Sequence, residues 1–251
     1  MPNLTVAIPK LRESIVAILT LRMTRRETFK KGKGKIRPAQ FEGRWGSAFC
    51  VAPDKYLVTA FHVLNDGKPR QPDSKSYALV VPGNGDPFFW FPVVSFPVER
   101  PDFDMAVLEI GPCTTPGVQL PALPVTFKPQ PDGTQVLTMG FPAPEIAGLN
   151  TDADGNFRGG QFFLKSHGNE GIVAAQYILA GGLPVYELNV GWHHGESGGP
   201  IANLADEPAA FSLMQQYRNV QGPQGALPGP RRGLALSAIR KELEDLGVVG
   251  V

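Results

Sequence analysis

The segment Gly195-Glu196-Ser197-Gly198-Gly199-Pro200 sets a serine among glycines. A serine hydroxyl can serve as a nucleophile where the backbone turns sharply and approaches a substrate carbonyl closely, and glycine permits both. In such a frame the N–H groups of Gly195 and Ser197 can point together at a developing oxyanion, which makes them candidate oxyanion-hole donors. The nucleophile needs a base. The chain has four histidines, His62, His167, His193 and His194, all before Ser197. Leu57-Val58-Thr59-Ala60-Phe61-His62 ends an apolar run in a histidine, ahead of the turn-forming Asn65-Asp66-Gly67. Pro101-Asp102-Phe103-Asp104-Met105-Ala106-Val107-Leu108 puts an acid at the mouth of another apolar run. Such an acid can accept a hydrogen bond from the imidazole, fix its tautomer and stabilise the imidazolium. Asp102 is the rival, but the alternation of acid, apolar residue, alanine and apolar residue favours Asp104. The candidate catalytic set is Ser197 as nucleophile, His62 as general base and Asp104 as orienting acid.

Taken singly, His62 reads as a satisfied histidine at a strand end and Asp104 as a turn aspartate. The three segments together carry the chemistry. The serine string also fits the G-x-S-x-G elbow of α/β-hydrolases, but that fold needs a histidine after the serine and this chain has none.

The elements that must hold these residues read as short strands. Ser14–Leu21, Trp45–Val51, Tyr56–Thr59, Tyr77–Val81 and Met105–Ile110 are apolar runs bounded by Gly, Pro, Asn and Asp. After a Pro-rich stretch at 121–131 a second series follows: Gln135–Met139, Gln161–Lys165, Gly171–Ala175, Val185–Val190 and Ala209–Gln215. A helix is expected at about 237–246, with Ser237 as cap, Ile239, Leu243 and Leu246 on one face, and Gly247 as C-cap. The 251 residues, with 29 glycines and 25 prolines, suit one all-β unit or two small barrels.

The segments resemble the histidine, aspartate and serine blocks of the trypsin-like (chymotrypsin-fold) serine proteases, in the style of their bacterial high-temperature-requirement branch. Gly46-Ser47-Ala48-Phe49 with Leu57–Val63 is similar to the histidine block, Asp104–Leu108 to the aspartate block and Gly195–Pro200 to the serine block. The order is His, Asp, Ser, and Leu188-Asn189-Val190 and Arg232–Ser237 match the same branch. The resemblance spans roughly residues 12–247.

It implies an all-β fold of two six-stranded antiparallel β-barrels with a C-terminal α-helix. The N-terminal lobe, 1–125, would carry His62 and Asp104, and the C-terminal lobe, 126–251, would carry Ser197; no appended PDZ domain is expected. The implied activity is an endopeptidase working through an acyl-enzyme on protein or peptide substrates, with no cofactor and no metal. By alignment, Gly191 floors the substrate pocket beside His194, and Leu213, Met214 and Gln215 form the opposite wall. No acid sits at that floor position to attract Lys or Arg, which points to a small or medium apolar P1 side chain. Three residues depart from the family pattern: Glu196 stands where Asp or Asn is usual, Phe61 replaces a small residue, and His193-His194 precedes the oxyanion glycine. These keep open a regulatory or binding module with a misaligned triad, and the chain also fits the protease domain of a larger protein. A regulatory protein partner or an oligomer is compatible with either.

Other signals have plainer readings. The net charge of +1 gives no push toward nucleic acid or a membrane surface, and no run approaches the roughly 18 apolar residues that span a bilayer. The first residues lack the basic and apolar regions of a signal peptide, and two cysteines do not make a disulfide framework. A cytoplasmic location with free thiols is the expectation. The basic run Arg25–Arg37 reads as a solvated loop, Asp152–Asn156 as a turn, Pro87–Pro92 as core filling and Gln221–Pro230 as a flexible loop beside the pocket. Asp152–Asn156 resembles the start of a calcium loop, but Phe163 stands where that loop needs a bidentate Glu.

Overall fold

The computed structural model describes residues 3–25, 28–30, 35–37, 40–65, 73–81, 88–142, 144–152, 154–191, 193–215, 219–222, 225–228 and 231–251. The chain begins with a helix that the sequence reading lacked, α1 (Leu4–Glu13). Asn3 caps it by accepting the Thr5 N–H, and Ala7 and Leu11 are its buried residues. Pro9 is the sixth residue of the helix, so the bond that an N–H there would make to Thr5 O is missing.

β1 (Ile15–Arg25) is followed by a short hairpin, β2 (Thr28–Lys30) and β3 (Lys35–Arg37), then β4 (Gln40–Ala52), β5 (Tyr56–Ala60), β6 (Ser74–Val80), β7 (Phe89–Arg100) and β8 (Met105–Ile110). Six of them close an antiparallel barrel in the order β1-β4-β5-β8-β7-β6. The basic run is thus in part a hairpin, Thr28 pairing with Arg37; positions 26, 27 and 31–34 lie outside the described residues. Ile15–Leu21 is buried without alternation, because one face fills the barrel and the other is covered by other parts of the chain, residues 61–65 and 135–140 among them.

The second lobe opens with β9 (Gln135–Gly140). A hairpin, β10 (Glu145–Thr151) and β11 (Phe157–Phe163), stands outside the barrel. Then come β12 (His167–Ile178), β13 (Pro184–Asn189), β14 (Pro200–Asn203), β15 (Ala210–Met214), a small pair β16 (Asn219–Gly222) and β17 (Gly225–Pro228), and β18 (Arg231–Ala235). The barrel order is β12-β13-β18-β15-β14-β9. The stretch expected as a flexible loop, 221–230, contains the paired residues Gln221 and Ala226, with 223, 224, 229 and 230 outside the described residues. The fold is all-β with two closed six-stranded antiparallel barrels, and the C-terminal helix is present. Its start differs from expectation. A 3-10 turn occupies Leu236–Ile239 and α3 follows at Arg240–Asp245, so Ser237 is inside the turn and caps nothing. Gly247 (φ 82°) ends the helix, its N–H donating to Glu244 O and that of Val248 to Leu243 O.

The β10–β11 hairpin is tied to the first lobe by aromatic rings. Phe157 and Phe162 pack on Phe88, whose ring centroid is 5.1 Å from that of Phe162, while Trp90 meets Phe157 and Trp45 meets Phe162. Phe91, at 1 % exposure, faces the barrel interior, so the aromatic run is both strand and core. The hairpin turn is organised by Asp152, which accepts the N–H groups of Asp154 and Asn156. Lys75 of β6 places its ammonium 2.8 Å from Asp154 O and 2.7 Å from Asn156 Oδ1. Position 153 within that turn lies outside the described residues. Cys50, buried, and Cys113, half-buried, are both free thiols, and burial pushes the Cys50 thiol up to about 12.

Candidate active site

The register of β5 with β8 brings the histidine and the acid together. Ala60 pairs with Met105, so the residues just beyond those strand ends become neighbours. The chain leaves β5 into the one-turn helix α2 (Phe61–Asn65), and the Phe61 N–H donates to Asp104 O at 3.1 Å. Asp104 sits at φ 54°, a left-handed conformation that aspartate tolerates better than most residues. Its carboxylate is thereby aimed at His62. Oδ1 accepts the His62 backbone N–H at 2.9 Å, and the ring Nδ1 lies 2.9 Å from Oδ2 and 3.1 Å from Oδ1. With Nδ1–H donating to the carboxylate, Nε2 is left as the acceptor nitrogen. Asp102 points elsewhere, forming a two-point pair with Arg100 at 3.1 and 2.9 Å. Phe61 is buried in the first-lobe core, so its bulk does not crowd the site.

The serine loop is shaped by positive-φ glycines. His193–Glu196 is a turn closed by Glu196 N–H on His193 O at 3.2 Å, with Gly195 at φ 96° in its third position, as a type II turn requires. Gly198 has φ 86°, and a Cβ there would collide with the Ser47 carbonyl and the Thr59 hydroxyl of the other lobe. The two lobes therefore meet at this loop. The Ser47 N–H donates to Ser197 O at 2.8 Å, and Gly198 N–H donates to Met214 O at 2.8 Å. Among the described residues, the N–H groups of Gly195 and Ser197 donate to no protein acceptor.

Glu196 is fully buried. Its Oε2 accepts the His193 N–H, closing the loop on itself, and among the described residues Oε1 has no hydrogen-bond partner. Burial raises its carboxyl above the usual carboxylate range, partly opposed by the His193 N–H and by the charges of His193 and Arg231. Gly140 packs against it so closely that a Cβ there would lie 2.8 Å from the Glu196 Cα.

Ser197 is 9 % exposed, and among the described residues its hydroxyl makes no hydrogen bond to the His62 ring. Gly191 and His194 are exposed beside the loop. Leu213 and Met214, both 0 % exposed, fill the cores on either side of β15 and do not face an open wall. Gln215 turns to the acid instead, its Nε2 donating to Asp104 Oδ2 at 3.2 Å. Residues 216–218, which follow Gln215, lie outside the described residues. Sequence reasoning placed Gln215 only as pocket wall and Ser47 only within the histidine-block resemblance. Both act across the lobe boundary, and no local pattern reveals that. Among the described residues no cluster of three or more His, Cys, Asp or Glu could hold a metal ion.

Two antiparallel barrels that bring a histidine–carboxylate pair and a glycine-framed serine to their junction define a chymotrypsin-type scaffold. The Trypsin-like peptidase domain family matches residues 46–208, and the chain belongs to that family: it is a trypsin-like serine protease. Among solved structures it is similar to the HtrA-type protease AlgW, solved with a decapeptide, at TM-score 0.59 and 15% sequence identity, covering 98% of this chain and 68% of that one. The comparison with curated proteins gave no match.

Proposed function

We propose that the protein is an endopeptidase that cleaves peptide bonds through an acyl-enzyme on Ser197. His62 takes the Ser197 proton as the hydroxyl attacks the scissile carbonyl, then gives it to the leaving amine. Asp104 holds the imidazole with Nδ1–H donating, which leaves Nε2 as the base. The N–H groups of Gly195 and Ser197 bind the oxyanion. The observation that carries this reading is the grip of Asp104 on His62 through both ring and backbone. The decapeptide in the AlgW structure supports a peptide substrate, and the lack of an acid at Gly191 supports a small or medium apolar P1 residue.

One observation favours a second reading, a protease-fold regulatory module: among the described residues the His62 ring bonds to Asp104 and not to Ser197 Oγ. Catalytic hydrogen bonds commonly tighten only in the substrate complex. A fluorophosphonate probe separates the two readings. The endopeptidase labels at Ser197, loses labelling in Ser197→Ala and His62→Ala, and hydrolyses casein. A wild-type protein that stays unlabelled while a protease control labels supports the module.

A further inference from the structure

Ser47 lies on β4 of the first lobe and is 0 % exposed, yet most of its polar atoms reach the second lobe. Its N–H donates to Ser197 O at 2.8 Å. Its hydroxyl donates to Gly195 O at 2.8 Å and accepts the Phe141 N–H at 2.9 Å. Its carbonyl accepts the Thr59 hydroxyl at 2.7 Å. One residue thus holds the carbonyls of both Gly195 and Ser197, whose N–H groups face the oxyanion position in the mechanism above.

Peptide planarity gives those bonds leverage. The Gly195 carbonyl and the Glu196 N–H share one rigid plane, held at one end by the Ser47 hydroxyl and at the other by His193 O. Only the two rotations of Gly195, φ and ψ, then separate this plane from the one bearing the Gly195 N–H. The plane of the Ser197 carbonyl is pinned in the same way, between the Ser47 N–H and Met214 O. Glu196 steadies the other end of the turn from within the loop, whereas Ser47 does so from the opposite barrel.

We propose, on the basis of the acyl-enzyme mechanism above, that Ser47 is a positioning residue that aims the oxyanion-binding N–H groups from the first lobe. Its hydroxyl ties their aim to Phe141, the residue that follows β9 and leads into the β10–β11 hairpin.

The test compares the wild-type chain with Ser47→Ala, Ser47→Cys and Thr20→Val. The cysteine nearly keeps the serine's volume with a much weaker donor. Thr20→Val removes a buried hydroxyl bond of similar length, 2.9 Å to the Ser76 hydroxyl, that touches neither Ser47 nor the serine loop. Readouts are the second-order rate constant of fluorophosphonate labelling, kcat and KM on a fluorogenic casein peptide, and thermal unfolding. In Ser47→Ala, labelling and kcat should fall about 10- to 100-fold, the scale set by misplacing a catalytic group by an ångström, with KM within about twofold. Ser47→Cys should fall at least severalfold, while Thr20→Val should melt earlier and label within about threefold of wild type. A wild-type labelling rate in either folded Ser47 variant overturns the proposal. So does an equal rate loss in Ser47→Ala and Thr20→Val, which would mark a merely structural role. If wild type itself is not labelled at Ser197, the mechanism fails first and the Ser47 proposal falls with it.

Discussion

Exchanging Asp104 for asparagine should leave the fold standing and nearly abolish turnover. The site accepts the change sterically, because asparagine has the same shape and tolerates the left-handed φ of 54° equally well. Its hydrogen bonding fails. The carboxylate takes the His62 backbone N–H at Oδ1, and the ring Nδ1–H and Gln215 Nε2 at Oδ2, the latter two at 2.9 and 3.2 Å. An amide has only one acceptor oxygen. If that oxygen keeps the backbone N–H, the new NH2 group confronts the ring N–H and the Gln215 amide. Gln215 can rotate its amide, but the imidazole can adapt only by moving its proton to Nε2, and an Nε2–H cannot accept from Ser197. The expected loss in kcat is about 10⁴-fold, the size the same change has in the Ser-His-Asp template, or about 5.5 kcal/mol of barrier. The stability loss should be about 1–3 kcal/mol for the disturbed charge-assisted bonds, leaving the protein folded at room temperature. Fluorophosphonate labelling near neutral pH, alongside a thermal melt, measures both. A folded Asp104→Asn protein that keeps more than about a tenth of the wild-type labelling rate refutes the assignment of Asp104 as the orienting acid.

Gln215→Ala removes one donor from Asp104 and should lower kcat about three- to tenfold with little change in melting temperature, as neutral hydrogen bonds of this kind contribute about 1 kcal/mol; an unchanged kcat would leave the Gln215 contact without a catalytic consequence. Glu196→Gln tests the buried carboxyl through pH. Burial raises its folded-state pKa, so the native protein holds this proton more tightly than the unfolded chain does. The stability this contributes is complete in acid, below the unfolded value of about 4.3, and is lost as pH rises through the folded value. Glutamine does not titrate, so the melting temperature of the variant relative to wild type should climb from acid toward neutral pH. A difference that shrinks over that range contradicts the burial argument.

The parts of the fold that are legible in sequence are those governed by local pattern. Met105–Ile110 is a strand as read, and Tyr56–Thr59 gains only Ala60, because an apolar run between turn residues leaves little else for it to be. Asp104 and Asp102 diverge, one to His62 and one to Arg100, as their places in the alternation suggest. Elsewhere the local signal points away from the structure. Pro9 hides α1, since a proline in a ten-residue segment reads as a break. β7 contains Pro92 and Pro97 and changes register between Val93 and Ser95 and again before Val98, so its alternation is lost. The contacts of Ser47 and Gln215 are beyond any local reading. Their partners lie 148 and 111 residues away, and only the docking of two barrels brings them together.

Lys75 gives the hairpin turn at Asp152–Asn156 a character of its own. Its ammonium lies against Asp154 O and Asn156 Oδ1, oxygens of the kind that a loop of this shape turns toward a calcium ion. A free ion obeys mass action, leaving when its concentration falls and yielding to a chelator. A cation carried on β6 has no bulk concentration to follow, because the chain itself delivers it whenever the barrel is folded. The turn thus has a fixed counter-charge in place of an exchangeable one, delivered by the strand on which the arm rests.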